Sequence, residues 1–232
     1  MKLSRRTAIP LIIGGGIAAA IVGNYFVSEL FKEKADEEYE SAKLGTDDKK
    51  QKLLKDSLEM LGSENISEVV YDPTLEKSRE NLRKILKRYA KESEIEKLVK
   101  ESTKKDERHS FCVIDIVPRT GNGEKRPVFA RKEVYGSQCI KKIEDIISCL
   151  RHEDEHARNE RCGYEFKDKI LKAYELIEIL NERDFRAEVF QGIYEIPAYA
   201  VQLDSIIHGK DKTSRECADS VKQNLKELSR IL

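Results

Sequence analysis

The chain has 232 residues and sets 43 Lys plus Arg against 43 Asp plus Glu, a net charge of zero, so no global field draws it to nucleic acid or to an acidic partner. Charged residues make up 37% and aromatics 7%, with no Trp, which suits a helix-rich protein with solvated faces and a modest core and excludes a large all-β architecture. The length fits one ordinary domain of about 150 residues with appendages.

The N-terminal segment stands apart. Lys2, Arg5 and Arg6 precede an uncharged run from Thr7 to Ser28, about the length needed to cross a bilayer. Residues 1–30 are read as a membrane anchor. A cleaved signal peptide is the rival, with Ala18 and Ala20 as an A-x-A site. The basic cluster favours a cytoplasmic N-terminus, with the rest of the chain on the extracytoplasmic side. Residues 31–62 read as a polar tether followed by a short amphipathic helix, Leu53, Leu54, Leu58 and Leu61, which Gly62 ends.

Residues 63–232 form the remaining domain. After the turn at Asp72-Pro73-Thr74, an apolar stripe through Leu75, Leu82, Ile85, Leu86, Tyr89, Ile95, Leu98 and Val99 predicts one long helix, or two joined near Lys91. The β-branched run at residues 110–118 and the run at 126–136 flank a Gly-rich turn and predict a β-hairpin. The period then becomes helical: Ile140, Ile143, Ile146, Ile147 and Leu150 lead straight into His152. Further helices are expected from Phe166 to Leu180, from Tyr194 to Gly209 with Pro197 in the first turn, and through Val221, Leu225, Leu228 and Leu232. The fold expected is α+β and mostly helical, with a small antiparallel sheet packed on the helix that carries His152.

Five cysteines leave at least one thiol unpaired within a monomer. Cys149 and Cys162 cannot pair if one helix runs through both, since it would hold them roughly 20 Å apart.

The chemistry concentrates in LRHEDEHARNE, residues 150–160. His152 and His156 stand at i and i+4, so a helix puts both imidazoles on one face. A zinc hydrolase needs three protein ligands and an open position for water. The two histidines supply two, and Glu153 on the adjoining edge is placed to take a proton. The third candidate is Glu195 in EIPAYAVQ, on a later helix where Ala198 permits close approach; Glu188 and Glu175 are possible replacements.

HEDEH followed by E-x-x-A-Y on a downstream helix resembles the gluzincin branch of the zinc metallopeptidases, over residues 108–209. The resemblance implies a zincin-like fold in which His152, His156 and Glu195 hold zinc and Glu153 is the general base toward a peptide or protein substrate. Asp154 and Glu155 occupy positions that are usually apolar or uncharged in this motif, and Arg151 before His152 is also unusual, so a shallowly buried helix is expected.

Other readings of the same residues stay open. The histidines could lie exposed on a helix laced by Glu153, Glu155, Arg151 and Arg158, and Glu195 could be a helix N-terminal acid stabilised by the macrodipole. Cys149 could join both histidines in a Cys-His-His site. Half of a di-iron signature is present in Glu153-x-x-His156, without a second half. At the level of function, the rival is a catalytically inactive, membrane-tethered helical module that presents the Leu75–Val99 stripe to a partner.

Overall fold

Side-chain alternation along one strand, β3 (Arg126–Arg131), sets the layers of this protein. Val128 and Ala130 enter one apolar cluster, whereas Phe129 between them enters another, as the two-residue period of a strand requires. The computed structural model describes residues 36–88, 91–102, 111–113, 125–166, 169–171 and 187–230. Within them β3 is the centre of a three-stranded sheet, flanked by β1 (Ile66–Asp72) and β2 (Phe111–Val113).

The larger cluster covers one face of that sheet. Helix α1 (residues 36–43) contributes Tyr39 and Ala42, and α2 (Asp47–Leu61) contributes Leu53 and Leu54. Helix α5 (Ile143–Cys162) adds Ile143, Ile146, Ile147, Leu150 and Ala157. On the other face, α3 (Leu75–Leu86) and α4 (Glu92–Ser102) bury Leu82, Ile85, Leu86, Ile95 and Val99 against Phe129. A register irregularity between Ile66 and Glu68 in β1 shifts the parity, so that Ile66 shares the larger cluster with Val69 and Tyr71.

Two helices complete the described chain, α6 (Ala187–Ile207) and α7 (Arg215–Leu228). Helix α6 packs on α5, and α7 packs on α6. Helix α5 therefore has one side in the sheet core and another against α6. A short antiparallel pair, β4 (Tyr164–Phe166) and β5 (Lys169–Leu171), follows α5.

Several expectations are corrected here. The sheet is not simply antiparallel: β2 and β3 form the expected antiparallel pair, but the longer pairing, β1 with β3, is parallel from Ile66↔Arg126 to Asp72↔Arg131. A parallel partner needs a crossover, supplied here by the chain through α3 and α4, and that leaves no hairpin signal beside β1. The membrane span expected over Thr7–Ser28 lies outside the described residues, and among those described no helix is long and apolar enough to cross a membrane. The longest, α6, carries Glu188, Glu195 and Asp204 along its 21 residues. The single-pass anchor and the extracytoplasmic placement derived from it are accordingly set aside.

The stripe through Leu75 and Val99 belongs to two helices rather than one, and its buried residues cover the sheet, so it is not a face presented to a partner. Residues 36–61 are no solvated spacer either: Tyr39 is fully buried and donates its hydroxyl to the Ile140 carbonyl at 2.8 Å. The helix expected from Phe166 begins instead as the β4–β5 pair, and residues 172–186 lie outside the described residues. Gly62 ends α2 in the left-handed conformation, φ 65°, as its position after Leu61 implies.

The burial of α2 yields a direct test. Leu54→Ala should cost about 2–5 kcal/mol of unfolding free energy in chemical denaturation, because Leu54 is fully buried in the main cluster. Met60→Ala, on the exposed side of the same helix, should change it by no more than about 0.5 kcal/mol. Equal, small effects would mean that α2 does not belong to the core.

Candidate metal centre

Helix α5 is buried despite its charge. Twelve of its 20 residues are buried, among them His152, Glu153, Glu155 and His156, so the shallow placement expected from its polarity does not occur. The reason is that the motif's charged neighbours have partners. Arg151 donates two hydrogen bonds to Asp211, both 2.8 Å. Asp154 accepts from Ser63 and from Asn65. Glu155 accepts from Arg158 at 2.8 and 2.5 Å. At the start of the helix, fully buried Asp145 accepts from the backbone N–H groups of Lys141 at 2.8 Å and Ser214 at 2.7 Å.

Helix α6 lies antiparallel to α5, as three contacts in order establish. Gln202 donates to Ser148 at 3.1 Å, Tyr199 packs on His152 with ring centroids 4.3 Å apart, and Tyr194 stacks on His156 at 4.2 Å. Ala198 is fully buried, and its methyl group leaves the helices room to approach. Glu195, three residues earlier on the same face, reaches in toward the histidines. It is the ninth residue of α6, beyond the first turn, so a simple helix N-terminal acid is excluded. Pro197 likewise lies inside α6 rather than at its start.

The three candidate ligands converge. His152 Nε2 and His156 Nε2 are 3.0 Å apart, and Glu195 Oε2 is 3.2 Å from the first and 3.5 Å from the second. Four-coordinate zinc with bonds of about 2.0–2.1 Å places neighbouring ligand atoms about 3.3 Å apart. The observed separations bracket that value. Among the described residues, His152, His156 and Glu195 are the group that could hold a metal ion.

Hydrogen bonding alone serves this cluster poorly. The Nδ1 atoms of both histidines are buried without a partner. If each Nδ1 carries the proton, two nitrogen lone pairs and a carboxylate face one another at about 3 Å. If an Nε2 carries it instead, its Nδ1 becomes a buried acceptor with no donor, at a cost of about 1–3 kcal/mol. A cation at the centre resolves the first arrangement, because it binds all three lone pairs at once.

Burial, the largest influence on the Glu195 carboxyl, would raise it, but hydrogen bonds and positive charge from His152 and His156 together outweigh burial and hold it below the usual carboxylate range. Glu153 is buried one residue from His152, and its negative charge reaches Tyr199 and Cys149. The Tyr199 hydroxyl accepts from Asn224 of α7 at 3.1 Å; burial, then the charge of Glu195, pushes this phenol well up.

Other candidates do not join the centre. Cys149 is not among the residues whose ligand atoms converge, so a Cys-His-His site is not assembled. His208 is exposed and pairs with Asp204. Glu175 and the side chain of Glu188 lie outside the described residues. The aromatic bracket of Tyr194 and Tyr199 was not foreseen, although Tyr199 stands one turn after Glu195 and Tyr194 directly before it.

The depressed Glu195 carboxyl predicts a pH dependence in the metal-free chain. A carboxyl lowered on folding stabilises the protein above its unfolded value, near 4.5, and loses that contribution as pH falls toward the folded value. Denaturation midpoints between about pH 5 and pH 3 should therefore fall less steeply for Glu195→Gln than for the native chain, and parallel pH profiles would contradict this electrostatic arrangement.

Comparison with protein-family models, curated proteins and solved structures gives no match to this chain.

Proposed function

We propose that the protein is a zinc-dependent hydrolase of peptide or protein substrates, with His152, His156 and Glu195 as the metal ligands and Glu153 as the general base. The observation that carries this reading is the convergence of two imidazole nitrogens and one carboxylate oxygen within 4.8 Å of one another, at separations suited to tetrahedral zinc. Two imidazoles and a carboxylate also form a common ligand set for catalytic zinc. The gluzincin-like order of the same residues, HEDEH and then E-x-x-A-Y, favours peptide bonds over other substrates.

Zinc bound there supplies a Lewis acid that activates water and polarises a carbonyl. The chain's own residues divide the remaining work. His152 and His156 offer neutral nitrogens, and Glu195 adds one negative charge, leaving a net positive centre. Tyr194 and Tyr199 cover the two imidazole rings, fixing their planes and excluding bulk water from that side. Glu153 neighbours His152 along the helix; its carboxylate accepts a proton from the attacking water and returns it to the leaving amine. The side chains of Glu195 and His152 remain 19% and 10% exposed, so the cluster is open on the Glu195 side.

Two variants separate metal binding from chemistry. Glu153→Gln should retain zinc and lower turnover of a quenched fluorescent peptide pool by about 100-fold to 10,000-fold; unchanged turnover would remove Glu153 as the base. Glu195→Ala should weaken zinc binding in a competitive chelator titration. Undiminished affinity would show that the third ligand lies elsewhere.

A further inference from the structure

The His152 imidazole is held without the usual support. A metal-binding histidine ordinarily donates its second ring N–H to a carboxylate or carbonyl, which fixes the ring plane. Nδ1 of His152 is buried with no hydrogen-bond partner among the described residues. What touches the ring instead is Tyr199, with centroids 4.3 Å apart and planes at 57°. Tyr199 is itself held at its far end, where its hydroxyl accepts from the Asn224 amide at 3.1 Å.

That contact explains an otherwise unfavourable residue. Cys217, Val221 and Leu228 are buried on α7, and with Asn224 they recur at intervals of four, three and four, one stripe of the helix. An amide in such a stripe costs stability unless it is hydrogen-bonded, and Asn forms helix less readily than Leu. Its neighbours Lys222 and Gln223 are exposed and pair within α7, with Asp219 and Glu227. The two partners also stand at matching heights. Tyr199 lies eight residues before the end of α6 and Asn224 nine after the start of α7, about 12–14 Å from the connection along either arm. That connection is tied to α5 by Arg151–Asp211 and by Asp145–Ser214. The helical hairpin is thus fixed on α5 at its base, and along its arms by an amide that reaches the residue covering a ligand.

We propose that α7 is part of the metal centre, with Asn224 as a positioning residue that sets the plane of the His152 imidazole through the Tyr199 hydroxyl. An aromatic contact by itself tolerates a range of offsets and tilts. A hydrogen bond at the para position removes that freedom, because it is directional. His152 Nε2 then stays aimed at the point it shares with His156 and Glu195, 3.0 and 3.2 Å away. Metal sites tolerate ligand displacements of only about 0.2 Å, so freeing the ring lowers metal affinity although no ligand is removed. The effect on affinity rests on the zinc reading above; the orientation of the ring does not.

The test uses the full chain and three variants, Asn224→Leu, Tyr199→Phe and the two together. The pair removes donor and acceptor at once and leaves no unmatched polar group, so it should unfold in denaturant close to the native midpoint and serves if either single variant fails to fold. Two quantities are read. In the metal-free chain at fixed pH, the NMR resonance of the His152 ring, assigned with His152→Ala, reports its position under the Tyr199 ring. A competitive chelator titration reports zinc affinity. The expected result is a displaced His152 resonance and zinc affinity about 10-fold weaker in all three variants, the pair being no worse than either single change because each loses the same contact. Unchanged resonance and affinity in the pair would overturn the proposal, as would losses that add, since Asn224 and Tyr199 would then act separately. A lowered denaturation midpoint with native zinc affinity would also overturn it, leaving Asn224 a structural residue only. Were the native chain to bind no zinc while the resonance still moved, the metal reading would fall and the orientation of His152 by α7 would stand.

Discussion

The antiparallel packing of α6 on α5 is the constraint on which the candidate centre depends. Two ligands stand on one helix and the third on the other, so any slip between them separates Glu195 from both histidines. The Ser148–Gln202 hydrogen bond, buried at the helix interface, fixes that register one turn before His152 and two turns after Glu195. Ala198 sets the distance by having almost no side chain to interpose. On its far side α5 is fixed by the sheet, where Ile146 and Leu150 are fully buried.

A buried helix with this much charge stands only because its ions are paired. Removing one member of a buried pair typically costs about 3–5 kcal/mol, since it leaves an uncompensated charge. Here Arg151 leans on Asp211, between α6 and α7, and Asp154 on Ser63 and Asn65, beyond the end of α2. The charged residues that seemed at odds with a metal motif therefore anchor the motif helix to both sides of the fold. His152 and His156 then face Glu195 across the helix interface.

Much of this was legible in the sequence. The i, i+4 spacing of the histidines, the apolar lead-in from Ile143 to Leu150 and the later helix bearing Glu195 all reflect local periodicity, and local periodicity survives into the fold. What was not legible depends on distant partners. Strand β1 pairs in parallel with a strand some 60 residues away and so carries no turn signal. The Arg151–Asp211 and Asp145–Ser214 contacts join α5 to a segment more than 55 residues downstream. The start of α6 was misplaced because Pro197 favours a helix's first turn, a preference that tertiary packing overrode.

The most direct test of the metal centre is the zinc content of the purified full-length chain by elemental analysis, after zinc reconstitution and removal of loosely bound ions, beside the His152→Ala, His156→Ala double variant. One zinc per native chain, absent from the folded variant, is the predicted result. A native chain without zinc, or a variant that retains it, would contradict the assignment of His152, His156 and Glu195 as a metal site.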